Sequence, residues 1–196
     1  MSELDIALSI ALGIGLAAAV GLRVFLPLLV TSAAAYTGHL QLSDNFAWLG
    51  SGPALIMLAV AATAEVLAYY IPVVDNALDT VAAPAALVAG TLVSAAVMTD
   101  VPPIVKWTTA IIAGGGVAGL TQGVTTALRA KSTALTAGLG NSVIATSEAG
   151  GALLLAGLAL IAPFVAVAVV AILCWLAIRW TRKLIARMRR ERAPVQ

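Results

Sequence analysis

The sequence predicts an all-α fold, specifically a polytopic membrane helix bundle. Of its 196 residues, 61% are hydrophobic and 10% are charged, whereas an average soluble domain has about 25% charged residues. The mean hydropathy is +1.03, and the apolar residues fall in long runs. Because so few charges cannot cover a water-exposed surface, we expect the bilayer to be the solvent of this chain.

Six membrane spans are predicted from apolar runs of about 20 residues. Five runs are clear from hydropathy, and a weaker sixth is rich in small and polar residues. We include the sixth because it places both basic clusters of the chain on one side of the membrane. The spans are Ile6 to Tyr36, Pro53 to Ile71, Ala82 to Met98, Ile104 to Leu128, Ser132 to Thr146 and Gly150 to Ile178.

Basic residues set the expected orientation of this single transmembrane domain, residues 1–178. Seven of them lie in a tail of residues 179–196, and Arg129 and Lys131 form a second cluster. Such clusters favour the cytoplasmic side. We therefore expect the chain in the inner (plasma) membrane, with both termini on the cytoplasmic side. The tail could also bind anionic lipid. Because the net charge of +2 comes from the tail, nucleic-acid binding explains it poorly.

Small residues recur at a spacing of four in the first and fourth spans. Each ladder ends in Leu-Arg, and the offset between the two is 106 residues: Gly13, Ala17 and Gly21 precede Arg23, and Gly119, Gly123 and Ala127 precede Arg129. Two three-span halves, residues 6–98 and 104–178, would then form an inverted repeat, as in many transporters. The ladders could equally allow close helix packing, within the chain or in a homo-oligomer.

Arg23 lies near the middle of the first apolar run, where a charged side chain costs about 2.5–3.5 kcal/mol on insertion scales and needs a partner. Pro27 follows four residues later, and its ring clashes with the carbonyl of Arg23. The pair therefore predicts a broken helix, which is tolerated at that depth only beside protein or a wet cavity. In the alternative interpretation the span begins later, and Arg23 reaches the cytoplasmic interface.

Two acidic residues are the candidate partners of these arginines. Glu65, near the inner end of the second span, is the expected counter-charge for Arg23 or Arg129, or else a proton carrier. Glu148 opens the last predicted span, where a carboxylate also stabilises the helix N-terminus. The same residue could belong to a binding site.

Two further clusters are candidate sites. Gly138, Gly140 and Asn141 combine flexible backbone with a side-chain donor and acceptor, as in discontinuous helices that bind a substrate or ion. Asp75 and Asp79 could bind a cation together with the acidic residue of the second span. They could instead form a solvated helix face, and no particular metal is indicated.

No enzyme is predicted, because the sequence contains no nucleophile elbow, no zinc-protease motif and no phosphate-binding loop with lysine. One histidine and one cysteine leave few groups for catalysis, and no cofactor is indicated. Two functions remain open. The leading one is a small secondary transporter or channel-like permease for an ion or small solute, with a polar site at broken helices near mid-membrane. The other is a non-transporting membrane module that binds lipid or a partner protein.

Short motifs occur across most of the chain: Gly21-Leu22-Arg23, Pro27-Leu28-Leu29, Ile71-Pro72-Val73-Val74-Asp75, Asp79, Lys131-Ser132, Gly138-Leu139-Gly140-Asn141 and Glu148. Together they resemble the bacterial integral membrane family known as domain of unknown function 4126. The resemblance implies a membrane fold and a special status for Arg23, Asp75, Asp79, Asn141 and Glu148. The chain departs from the family pattern at Tyr69-Tyr70 and at Ala149, where relatives usually carry charged residues.

Overall fold

A computed structural model describes residues 3–99, 101–136 and 140–191 of the chain, and within these ranges it is helical without any strand. The all-α prediction is therefore confirmed. A 3-10 helix, Asp44–Gly50, precedes α3, and a π-helical segment, Ala110–Gly115, joins α5 to α6. The α-helices are α1 Glu3–Val20, α2 Phe25–Tyr36, α3 Gly52–Ala68, α4 Pro72–Val97, α5 Pro103–Thr109, α6 Gly116–Thr136, α7 Asn141–Ile161 and α8 Pro163–Glu191.

Proline marks the beginning of several of these helices. Pro72, Pro103 and Pro163 are the first residues of α4, α5 and α8. A first-turn proline costs no hydrogen bond, because the amide it lacks has no partner within the helix. The start of α3 has a different signal, since the Oγ atom of Ser51 accepts from the backbone N of Ala54 at 3.3 Å.

The first predicted span is two antiparallel helices, because the chain reverses at residues 21–24. The start of α2 contacts Glu65, near the end of α3. Beyond the other end of α2, the Ser43 N–H bonds the carbonyl of Ala96 at 2.8 Å. That part of α4 lies beside Gly13 in α1, because a Cβ on Gly13 would touch Ser94. We call the end of the bundle with residues 21–24 the upper end and the end with residues 43–50 the lower end.

The predicted sixth span, Ser132 to Thr146, does not cross the bundle. It contains the last turn of α6 and the first of α7. These two helices run antiparallel, with Asn141 Nδ2 bonded to Thr133 Oγ1 at 3.0 Å. The described residues of this segment therefore lie at the upper end of the bundle, and six spans are not confirmed.

The last predicted span, Gly150 to Ile178, is also divided. Helix α7 ends at Ile161, and α8 begins at Pro163. Within the residues that the structure describes, four helical segments are long and apolar enough to cross a membrane, or five if the bent pair of the 3-10 helix and α3 counts as one more. The four are Glu3–Val20, Thr80–Val97, Pro103–Thr136 and Asn141–Ile161.

Helices α1, α6 and α8 run in the same direction. Gly13 and Gly114 both lie against Ser94, while Gly21, at the end of α1, lies against Ala118 and Thr121, further along α6. The segments with the matching ladders are thus parallel, so an inverted repeat is not confirmed. The start of α1 and the basic end of α8 lie at opposite ends of the bundle, so two termini on one side are not confirmed either. Both predictions depended on the count of six spans.

Helix α1 forms the centre of the core and packs against α4, α7 and α8. Its residues 16–20 are at most 1% exposed. A Cβ on Gly21 would lie 2.4 Å from the carbonyl oxygen of Ala118, so only glycine allows this approach. The ladder of α1 therefore serves close packing within the chain.

Candidate functional site

Arg23 lies in the turn between α1 and α2 and is buried, with 2% of its surface exposed. Its Nη2 atom donates to the carbonyl oxygen of Ala145 in α7 at 3.0 Å and lies 3.3 Å from Oε2 of Glu148. Its Nε and Nη1 atoms have no hydrogen-bond partner within the described part of the chain. The predicted burial of this guanidinium is thus observed, and its ion-pair partner comes from α7.

Arg129, near the end of α6, meets the same carboxylate. Its Nε donates to Oε1 of Glu148 at 3.1 Å, and its Nη2 donates to Oε2. Such a two-pronged arginine–carboxylate pair is the strongest geometry for this contact. Arg129 is therefore buried in the bundle, whereas Lys131 is exposed.

Tyr69 follows α3 and lies between the two guanidinium groups. Its ring centroid is 3.7 Å from Cζ of Arg23 and 4.2 Å from Cζ of Arg129, within the range of cation–π contacts. Its buried position differs from that of the exposed Tyr70, whose hydroxyl bonds Thr146 Oγ1 at 2.8 Å. Sequence analysis indicated no role for Tyr69 beyond its departure from the family pattern.

Glu65 holds the start of α2. Its two carboxylate oxygens accept from the backbone N–H groups of Val24 at 2.8 Å and Phe25 at 3.0 Å. Val24 itself provides no side-chain cap, so a carboxylate from α3 satisfies the amides that the helix start exposes. We name Arg23, Arg129, Glu148, Tyr69 and Glu65 the ionic cluster; it holds two arginines and two glutamates.

The shared carboxylate of the cluster, Glu148, lies inside the helical bundle and away from the start of α7. Glu148 is the eighth residue of α7, which has 21 residues. At 1.5 Å per residue this is about 10 Å along a helix of about 31 Å. Glu148 therefore lies about a third of the way along α7, between the upper end and the middle of that helix.

The other predicted site residues are dispersed. Pro27 is the third residue of α2, where its ring breaks no helix, so the break lies before it. Gly140 precedes α7 and donates its N–H to Thr136 Oγ1 at 3.0 Å, and Asn141 is buried at the start of α7. Neither touches the cluster in any described contact. Gly138 lies outside the described residues.

The predicted cation site is not assembled in the described part of the chain. Asp75 and Asp79 are in the first two turns of α4, and their side chains lie outside what the structure describes. The acidic residue that was expected to join them, Glu65, binds the start of α2. Among the described side chains, no group of three histidine, cysteine or acidic residues could hold a metal ion.

A cavity of about 830 Å³ lies between α6, α7 and α8, which we call the lateral groove. Glu148 of the ionic cluster forms part of its wall, and Arg182 of α8 lies at its upper rim. Sequence reasoning missed the groove, although Gly123 on its α6 wall, where a Cβ would meet open space, is a signal for missing side-chain volume. Most of the wall is apolar, including Leu120, Val124, Leu128, Ile144, Leu173 and Ile178.

These features define an all-helical protein with membrane-length apolar helices, a buried ionic cluster and a lateral groove. The family described as domain of unknown function (DUF4126) matches residues 10–183. The chain therefore belongs to this family, as its motifs predicted. No curated protein and no solved structure matches it.

Proposed function

We propose that this protein is a non-transporting membrane module that binds a lipid in its lateral groove. This is the second of the two functions predicted from the sequence. The observation that carries the proposal is the groove itself, whose volume of about 830 Å³ falls in the range of roughly 300–1,000 Å³ typical of small-molecule sites. Its mostly apolar wall suits a hydrocarbon chain. Leu120, Val143 and Leu173 of this wall are more than half exposed, as a groove open to surrounding lipid requires.

The ionic cluster supports a binding module better than a transport path. Both of its arginines bind the carboxylate of Glu148, and these three residues are each at most 6% exposed. A buried charge that keeps its partner is tolerated, whereas one that loses it destabilises the fold strongly. The cluster joins the α1–α2 turn to α3, α6 and α7, and it holds the wall of the groove in place through Glu148.

The proposal includes a location and an orientation. We place the protein in the inner (plasma) membrane with the basic end of α8 in the cytoplasm, following the charge rule. Because α1 and α8 run parallel, the start of α1 then lies on the opposite side. Self-association, expected from the ladders, is not needed here, since Gly13, Ala17 and Gly21 already pack within the chain.

Photo-crosslinking tests the proposal. The full chain is purified in nanodiscs with a lipid that carries a diazirine on its acyl chain, and labelled peptides are mapped. We expect labelling concentrated on residues 119–128, 143–148 and 173–182. Gly123→Leu should reduce this labelling at least several-fold, because Gly123 lines the groove and a side chain there meets no neighbouring atom within 4 Å.

Gly116→Leu is the matched control. It lies in the same helix with equally open surroundings, but it does not line the groove. It should keep the wild-type labelling. Labelling spread evenly over all lipid-facing helices, and equal in both variants, would contradict the proposal.

The permease is the second candidate, and one observation favours it. Glu148 belongs both to the ionic cluster and to the groove wall, so a solute in the groove could approach Arg23, whose Nε and Nη1 have spare donors. Flux of ions or small solutes into liposomes tests it. Flux that Arg23→Ala and Glu65→Gln abolish in folded protein would establish transport, whereas no flux above empty liposomes supports the binding module.

A further inference from the structure

The length of the lateral groove matches one leaflet of a bilayer. Its wall covers residues 119–128 of α6 and 173–182 of α8. Each stretch rises about 14 Å at 1.5 Å per residue. Half of a hydrocarbon core of about 30 Å is about 15 Å. A single acyl chain of the leaflet at the upper end therefore fits lengthwise between these helices.

Charge distinguishes the two ends of the groove. Leu173 and Gly119 lie toward the lower end, and Arg182 lies at the upper rim with its side chain exposed. Five more basic residues follow in the sequence. Basic pockets next to membrane helices attract the phosphates of anionic lipids. The only carboxylate on the described groove wall, Glu148, is held by two arginines, so it does not repel a phosphate at the rim.

We infer that the occupant of the lateral groove is an anionic phospholipid of the upper leaflet, with one acyl chain between α6 and α8 and its phosphate at Arg182. This inference rests on the proposed function and adds the class of lipid and its orientation. The chain offers a matched charge control. Arg179, one turn earlier in α8, does not line the groove and instead lies over Trp175, with Cζ 5.1 Å from the ring centroid.

Native mass spectrometry of the full chain tests the inference, with phosphatidylglycerol and phosphatidylcholine of identical acyl chains as probes. We expect the wild type to retain phosphatidylglycerol in preference to phosphatidylcholine. Arg182→Gln should reduce this preference about fivefold, the factor that one cation near an anionic surface provides. Arg179→Gln should leave it within about twofold. Gly123→Leu should lose both lipids, and Gly116→Leu should lose neither.

The alternative outcomes separate the inference from the proposed function. Equal retention of the two lipids by the wild type, with loss in Gly123→Leu, would overturn the anionic preference and leave the lipid-binding function intact. An equal fall in preference in Arg182→Gln and Arg179→Gln would show that the phosphate is held by the basic tail in general, which also overturns the inference. Retention of neither lipid by the wild type would overturn both.

Discussion

Glu148→Gln removes the one carboxylate that Arg23 and Arg129 share. Glutamine keeps the shape of the side chain and one oxygen acceptor, but it takes away the charge that faces three guanidinium nitrogens. Loss of one partner from a buried ion pair costs about 3–5 kcal/mol. Here two buried arginines lose their partner, and both lie against the ring of Tyr69. We therefore expect the free energy of unfolding to fall by at least about 3 kcal/mol.

The assay is equilibrium unfolding of the purified chain in mixed micelles titrated with denaturing detergent. Glu3→Gln, at an exposed residue in the first turn of α1, is the control and should cost no more than about 1 kcal/mol. Adding Arg129→Gln to Glu148→Gln should recover part of the loss, because one unpaired charge is removed with it. A loss below about 1 kcal/mol for Glu148→Gln, the value of exposed ion pairs, would refute the reasoning.

Three further changes test other contacts of the fold. Glu65→Ala should lower the free energy of unfolding by about 1–2 kcal/mol, as for a lost helix cap, and it should increase the hydrogen-exchange rate of the first amides of α2. Thr63→Ala, at an exposed residue of α3, is the control and should change neither quantity. Gly21→Ala should lower the melting temperature, because its Cβ would overlap a carbonyl oxygen of α6. Gly157→Ala is the control: its Cβ would lie in open space, and the melting temperature should stay the same or rise because a glycine inside a helix is replaced. Tyr69→Leu should cost at least about 1 kcal/mol in the same unfolding assay through its two cation–π contacts; a neutral result would contradict the stacking.

The burial of Arg23 could be predicted from the sequence, because a charge in an apolar run must find a partner inside the protein. Its partner could not be predicted. Glu148 lies 125 residues further on, and the polar residues 132–146 concealed the first turns of α7, so the helix was expected to begin near Gly150. It begins at Asn141, which places Glu148 two turns inside the helix.

The length of the first apolar run could have predicted the reversal of the chain at residues 21–24. Ile6 to Tyr36 is 31 residues, about 46 Å as one straight helix, against a hydrocarbon core of about 30 Å. Pro27 drew attention to a kink, but a proline in the first turn of a helix breaks nothing. The close approach at Gly21 and the hydrogen bonds from Glu65 depend on α6 and α3, so local sequence could not reveal them.

The bond between Glu65 and the start of α2 has a consequence for biosynthesis. The ribosome makes the Val24 amide 41 residues before the carboxylate that satisfies it. An amide without an acceptor in lipid costs several kcal/mol. Release of α2 from the translocation channel into lipid is therefore unfavourable as long as α3 is missing. We expect α1, α2 and α3 to leave that channel together, as one unit that is completed only when α3 arrives.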